Sequence, residues 1–183
     1  MGKLFVVEGI DRSGKSTLVA ALATRYSCEI VKFPDRATPI GQLIDKVLRK
    51  EIVIENPQAI HLLFTANRWE VQNKVHALLK TGNVIMDRYY YSGIAYSVAQ
   101  GLEKEWCLKK EDMLIQPDKV IYLDLKASTS ASRKGFGEEL YEKTLFLEKV
   151  TQVFLDLQEP HWKIINAEQS IEAVYKEAVA YLE

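Results

Sequence analysis

Leu4-Phe5-Val6-Val7-Glu8-Gly9-Ile10-Asp11-Arg12-Ser13-Gly14-Lys15-Ser16-Thr17 is the stretch on which the reading of the fold turns. An apolar, β-prone run leads into G-x-x-x-x-G-K-[ST], and a helix-like run follows it, which is the context this phosphate-binding loop requires. The residue types follow from the chemistry. Glycine lets the backbone turn tightly and point its N–H groups at phosphate oxygens, while the next helix offers the positive end of its dipole to the same anion. Lys15 is then placed to reach the β and γ phosphates, and Ser16 to offer a hydroxyl to Mg²⁺. Gly9, Asp11, Arg12, Ser13, Gly14, Lys15, Ser16 and Thr17 are therefore the expected triphosphate cradle.

Outward from this stretch, short apolar runs alternate with amphipathic ones, as a parallel sheet flanked by helices requires. Buried strands are expected at Leu4 to Glu8, Glu29 to Phe33, Asn83 to Asp87, Lys119 to Asp124 and Lys163 to Asn166. Helices are expected over 14–25, 39–50, 92–101, 111–115, 143–159 and 170–182, with one long helix from Asn56-Pro57 to Lys80. The class is α/β, a five-stranded parallel sheet, and 183 residues fit one domain, 1–183, with a real core.

The 24 basic and 25 acidic residues nearly cancel, so no global field draws the chain to nucleic acid or anionic lipid, and neither is expected as a partner. Cys28 and Cys107 form no C-x-x-C pair, against a zinc site or disulfide framework, and read as reduced core residues. Glu8 interrupts the first apolar run too early for a signal peptide or membrane span. The expected location is the cytoplasm, with the nucleus as a second compartment.

The loop alone does not distinguish a kinase from a GTP switch. Asn73-Lys74-Val75-His76 lacks the Asp of a guanine reader, and Gly135-Phe136-Gly137 lacks the third glycine and preceding strand of a dinucleotide fingerprint. Further positions suggest an acceptor pocket. Arg36 follows the strand ending at Phe33, where open α/β sheets place ligands, and suits a phosphate clamp or simply an exposed turn. Phe64 and Arg68 share a helix face; the ring could stack on a base and the guanidinium donate to an exocyclic carbonyl, or the pair could be core Phe with solvated Arg. Asp87 and Arg88 end the third strand, the acid suited to Mg²⁺ and the base to a transferring phosphoryl group, or else to a helix cap with its ion pair. Gly93 would allow close approach of a nucleotide, and Tyr96 offers a second wall. The 132–142 stretch, basic residues with two glycines, suits a lid over phosphates or an ordinary loop.

Phe33-Pro34-Asp35-Arg36, Leu62 to Glu70, Asp87-Arg88-Tyr89 with Ser92-Gly93, and Arg133 to Glu142, read with the phosphate loop, make the whole chain resemble thymidylate kinase, a family of homodimeric nucleoside monophosphate kinases. The resemblance implies ATP and dTMP as substrates with Mg²⁺, a homodimer, and catalysis by Arg12, Lys15, Asp87 and Arg88. It implies that Asp11 meets the sugar 3′-hydroxyl, that Phe33, Arg36, Phe64, Arg68, Arg88, Gly93, Tyr96 and Tyr141 face dTMP, that Arg133 faces ATP, and that Ser16 and Asp87 serve the metal. Tyr141 would favour deoxyribose. Arg12 puts the chain in the branch whose catalytic arginine lies in the phosphate loop. Leu147 departs from the family, which often has Gln there. A deoxynucleoside kinase and a non-catalytic nucleotide-binding module remain the alternatives.

Overall fold

The computed structural model describes residues 1–133 and 136–183. Five parallel strands, β1 (Leu4–Gly9), β2 (Glu29–Lys32), β3 (Val84–Asp87), β4 (Lys119–Asp124) and β5 (Trp162–Asn166), lie in the order β2-β3-β1-β4-β5. Helices α1 (Lys15–Tyr26), α2 (Pro39–Leu48), α3 (Pro57–Glu70), α4 (Gln72–Thr81), α5 (Tyr90–Ala99), α6 (Lys104–Glu111), α7 (Ala127–Ser132), α8 (Thr144–Asp156) and α9 (Ile171–Leu182) connect and cover them. Central β1 and β3 are buried along their whole length, as strands covered on both faces should be. The outer strands are not: only Val31 of β2 is buried, because an edge strand has a neighbour on one side only.

Local chemistry sets three of the helix starts. Thr38, Asn56 and Ser170 each accept a hydrogen bond from the backbone N–H three residues on, and Pro39 and Pro57 open α2 and α3, where a missing N–H costs nothing.

Two helical expectations are corrected, and one short helix is added. The helix expected from 56 to 80 breaks at Val71 into α3 and α4. Beside the break, the buried Gln72 side chain donates to the Arg68 carbonyl (3.3 Å) and to Tyr89 Oη (3.1 Å), so tertiary bonds support the interruption. The helix expected at 111–115 instead spans Lys104–Glu111 and ends where that reading began. Periodicity was a poor guide there, because α6 turns no single apolar face to the core and its buried residues are Cys107 and the charged Glu111. The short α7 was not expected at all. Cys107 is fully buried and Cys28 partly so, both unbridged.

The sheet brings three carboxyl ends to one rim. Val7 is in register with Asp87 and Lys32 with Asp87, so the loops after β1, β2 and β3 open side by side. Sheet and motif thus meet where open α/β proteins bind ligands.

Candidate active site

The loop after β1 wraps the N-terminus of α1. Gly9 has φ 148°, and a Cβ there would lie 2.7 Å from Ser13 Oγ and 2.8 Å from the Leu123 carbonyl, so both conformation and space demand glycine. Lys15 is buried, its Nζ donating to the Ile10 carbonyl at 2.6 Å. Burial, reinforced by the nearby Arg88 charge, pulls its pKa down to about 7 although Asp11 and Asp87 oppose this. Ser16 Oγ donates to Asp87 Oδ2 at 2.6 Å, bringing the hydroxyl at the start of α1 to the acid at the end of β3.

Arg88 sits at the centre of the site. Its Nη1 donates to the Gly9 carbonyl (2.9 Å) and Ser92 Oγ (3.0 Å), and Nη2 to Asp11 Oδ1 (2.5 Å). Tyr96 Oη donates to Asp11 Oδ2 at 2.9 Å. Burial would raise the Asp11 pKa, but the charges of Arg88 and Lys15 and the Tyr96 hydroxyl outweigh it and hold it at about 2. Beneath lies a carboxylate the sequence reading passed over. Fully buried Glu8 accepts from Tyr89 N (2.8 Å), Ser92 N (3.1 Å) and Ser92 Oγ (2.5 Å), tying the start of α5 to β1.

These groups open into a cavity of about 760 Å³. Its lining takes in Arg12, Lys15, Ser16 and Asp87 from the loop and rim and Phe64, Arg68 and Gly93 from α3 and α5, with Phe33 and Tyr141; Asp11, Arg88 and Tyr96, bonded or packed together, line it as well. Phe64 is half-buried and borders this space, whereas Phe33 is buried against Tyr89, ring centroids 5.6 Å apart. Tyr141, Tyr96 and Phe146 form an aromatic cluster, Tyr141 stacking on Phe146 at 5.6 Å. Arg68 is not solvated: its guanidinium is buried against Glu111, Nε 3.0 Å from Oε2 and Nη2 on Oε1. Gly93 lines the cavity and has a reason to be small besides the one expected. A Cβ there would lie 2.7 Å from Arg68 Nη2, so the glycine also permits the close approach of Arg68.

Arg36 is held over the cavity by a latched turn. Asn67 accepts from Asp35 N (2.9 Å) and donates to the Asp35 carbonyl (3.2 Å) and Thr38 Oγ1 (2.8 Å), while Glu70 accepts from Thr38 Oγ1 (2.6 Å). Arg36 itself pairs with Asp45 (2.5 Å) and Glu139 (2.7 Å), and Arg12 with Glu142 (2.9 Å). Arg133 donates to the Arg12 carbonyl, and Leu140 N to the Leu48 carbonyl at 3.1 Å. The 136–142 segment thus lies across the basic residues and meets them with its own acids. Lys134 and Gly135 of the expected lid fall outside the described residues. Ser13 is buried within the loop, while Gly14 and Thr17 are exposed at its helix end. Leu147 is fully buried in the core, so no side-chain amide reaches the cavity from that turn of α8.

The sequence model described as thymidylate kinase matches residues 7–178. This chain belongs to the thymidylate kinase family. Among curated thymidylate kinases, that of Arabidopsis thaliana is 45% identical over 181 residues, covering 96% of this chain and 68% of the relative. The Homo sapiens protein is 39% identical, covering 96% and 87%. A solved thymidylate kinase structure from Candida albicans, described as having broad substrate specificity, superposes with a TM-score of 0.92 at 38% identity, covering 99% of this chain and 91% of that one. As a thymidylate kinase family member, the chain is a nucleotide kinase that phosphorylates dTMP from ATP, a step towards dTTP. Among the described residues, no helix is long and apolar enough to cross a membrane.

Proposed function

We propose that residues 1–183 act as one catalytic unit in which the triphosphate end of the cavity holds ATP, the Phe64–Arg68 end holds the dTMP base, and 132–142 serves as the lid. The single observation carrying this reading is that one cavity joins Lys15, Ser16 and Asp87 to Phe64 and Arg68, with Arg88 and Asp11 between them.

The chemistry asks for alignment and charge neutralisation rather than a base, because the acceptor phosphate is largely dianionic at neutral pH. One of its oxygens forms a bond to the γ-phosphorus as the bond to the β–γ bridging oxygen breaks, and ADP leaves with that electron pair. Lys15, Arg12, Arg36 and Arg88 surround this path with positive charge. Asp11 is ready to accept from the sugar 3′-hydroxyl, and Arg133, which donates to the Arg12 carbonyl, is the proposed further contact to ATP. Ser16 and Asp87, two hard oxygen donors 2.6 Å apart, fit Mg²⁺, which typically takes one or two protein oxygens and completes its shell with water and phosphate. Bound there, Mg²⁺ would neutralise charge on the β and γ phosphates. The exposed Leu43, Leu62 and Trp69 on α2 and α3 offer apolar surface for the homodimer, and light scattering on the eluted protein tests that assembly.

Coupled ADP release with Mg-ATP and dTMP, dUMP, dCMP, AMP, GMP and thymidine tests the reading. Turnover should be greatest with dTMP and absent with thymidine; turnover of thymidine would favour a nucleoside kinase. For Phe64→Ala, the KM for dTMP should rise about 5- to 150-fold, the loss of ~1–3 kcal/mol of stacking, with the KM for ATP unchanged. Equal losses for both substrates would make Phe64 a packing residue.

Lys15 gives a pH signature. With the free side chain at about 7, triphosphate binding should raise its pKa, so affinity is full below pH 7 and declines as pH rises above it. Calorimetry at pH 8 in two buffers of different ionisation enthalpy should show proton uptake on ATP binding, absent in Lys15→Met. Buffer-independent heats for the unaltered protein would refute the assignment.

A further inference from the structure

Behind the base end of the cavity lies a polar cluster that reaches the cavity through Arg68 and Ser97, while Glu111, Thr65 and His61 stand behind them. Glu111, the last residue of α6, is 1% exposed and Arg68, on α3, is 2% exposed. The carboxylate takes Nε and Nη2 of the guanidinium and also accepts from Thr65 Oγ1 at 2.7 Å. His61 Nε2 stands 3.5 Å from Glu111 Oε1, its Nδ1 is 2.8 Å from Ser97 Oγ, and the Trp106 ring packs against it at 5.3 Å. On the other side, the missing Cβ of Gly93 makes room for Nη1 and Nη2.

The guanidinium is therefore clamped from behind and from the side, and its remaining amino group, Nη1, lies outside the bonds to Glu111. Guanidinium nitrogens donate and never accept. A base edge meeting a fixed Nη1 must present an acceptor: the 4-oxo group of thymine or uracil satisfies it, whereas the 4-amino group of cytosine opposes donor to donor. Such rejection is strong only while the arginine cannot swing away, since a buried polar mismatch costs most when nothing relaxes to relieve it.

We infer that Glu111 is a positioning residue for base selection, holding Arg68 so that the site accepts a 4-oxo pyrimidine monophosphate and refuses a 4-amino one. The inference rests on the proposed reading of Arg68 as the residue that meets the base. Thr65 and Gly93 serve the same end, the first by fixing the carboxylate and the second by leaving space for the guanidinium.

The test compares kcat/KM for dTMP with that for dCMP in Glu111→Gln, Glu111→Asp, Arg68→Ala and the double variant Glu111→Gln/Arg68→Ala, with melting curves to establish folding. Glu111→Gln should lower the dTMP-to-dCMP ratio at least tenfold, through the KM for dTMP and with the KM for ATP unchanged. Glu111→Asp keeps the charge but is one methylene shorter; it should fall at least threefold and carries the test if the glutamine variant does not fold. In the Arg68→Ala background, Glu111→Gln should change the ratio no further, because its effect passes through the arginine. A ratio unmoved by Arg68→Ala would overturn the arginine's base-reading role. A ratio that collapses in Arg68→Ala but holds in Glu111→Gln and Glu111→Asp would overturn the positioning role alone.

Discussion

Replacing Arg12 by alanine is expected to lower kcat by about 10³- to 10⁵-fold while the dissociation constant for ATP changes little, the behaviour of an arginine that serves the transition state. Arg12 stands at the tip of the phosphate loop with φ 61°, a left-handed backbone that alanine adopts at some strain. Arg12→Gly therefore separates two effects, because glycine accepts that backbone freely and lacks only the guanidinium. If both variants lose kcat equally in single-turnover experiments, the guanidinium is responsible. If the glycine variant keeps full activity, the role of Arg12 is to shape the loop.

Arg88→Met should cost about 10²- to 10³-fold in kcat/KM for dTMP, the scale for removing a preorganised donor from a developing charge. The loss has a second readout. Arg88 is the chief influence opposing the burial that pushes the Asp11 pKa up. Without it, Asp11 should titrate well above its present value of about 2. Activity that needs ionised Asp11 is then retained at higher pH and lost as pH falls through the raised pKa. The acid limb of kcat/KM, which the acceptor phosphate alone sets in the unaltered protein, should thus move to higher pH in the variant; an unchanged profile would refute the coupling. Arg88→Lys should recover little of the rate, since one ammonium cannot reproduce a fork that meets Gly9, Ser92 and Asp11 together.

What the sequence made legible was local. The loop, its strand and its helix follow from about fourteen consecutive residues, because glycine, lysine and serine at those spacings answer to one anion. The five strands were readable from short apolar runs, and the starts of α2 and α3 from Thr-Pro and Asn-Pro. The charged members of the site brought together from distant parts of the chain were not. Glu111 lies in a charged stretch, Lys109-Lys110-Glu111-Asp112, with nothing to mark it apart from its neighbours, and only the packing of α6 on α3 makes it buried and paired. Glu8 looked like an acid ending a strand, yet it ties down the start of α5. The interruption at Val71 escaped for the same reason, since Gln72, Tyr89 and Ile115 meet there only in three dimensions.

Glu139 on Arg36 and Glu142 on Arg12 give the entry of substrate an unusual character. If the two arginines take phosphates as proposed, each arriving phosphate meets a guanidinium that already holds an oxyanion supplied by the protein. Binding at these two points is a substitution, one anionic oxygen leaving as another arrives, much as an incoming ligand displaces a resident one in coordination chemistry. Such an exchange leaves each guanidinium with an anionic partner before and after, which favours a readily reversed step. On the proposed reading, once the phosphoryl group has moved the same carboxylates would compete with the product diphosphate for the two arginines.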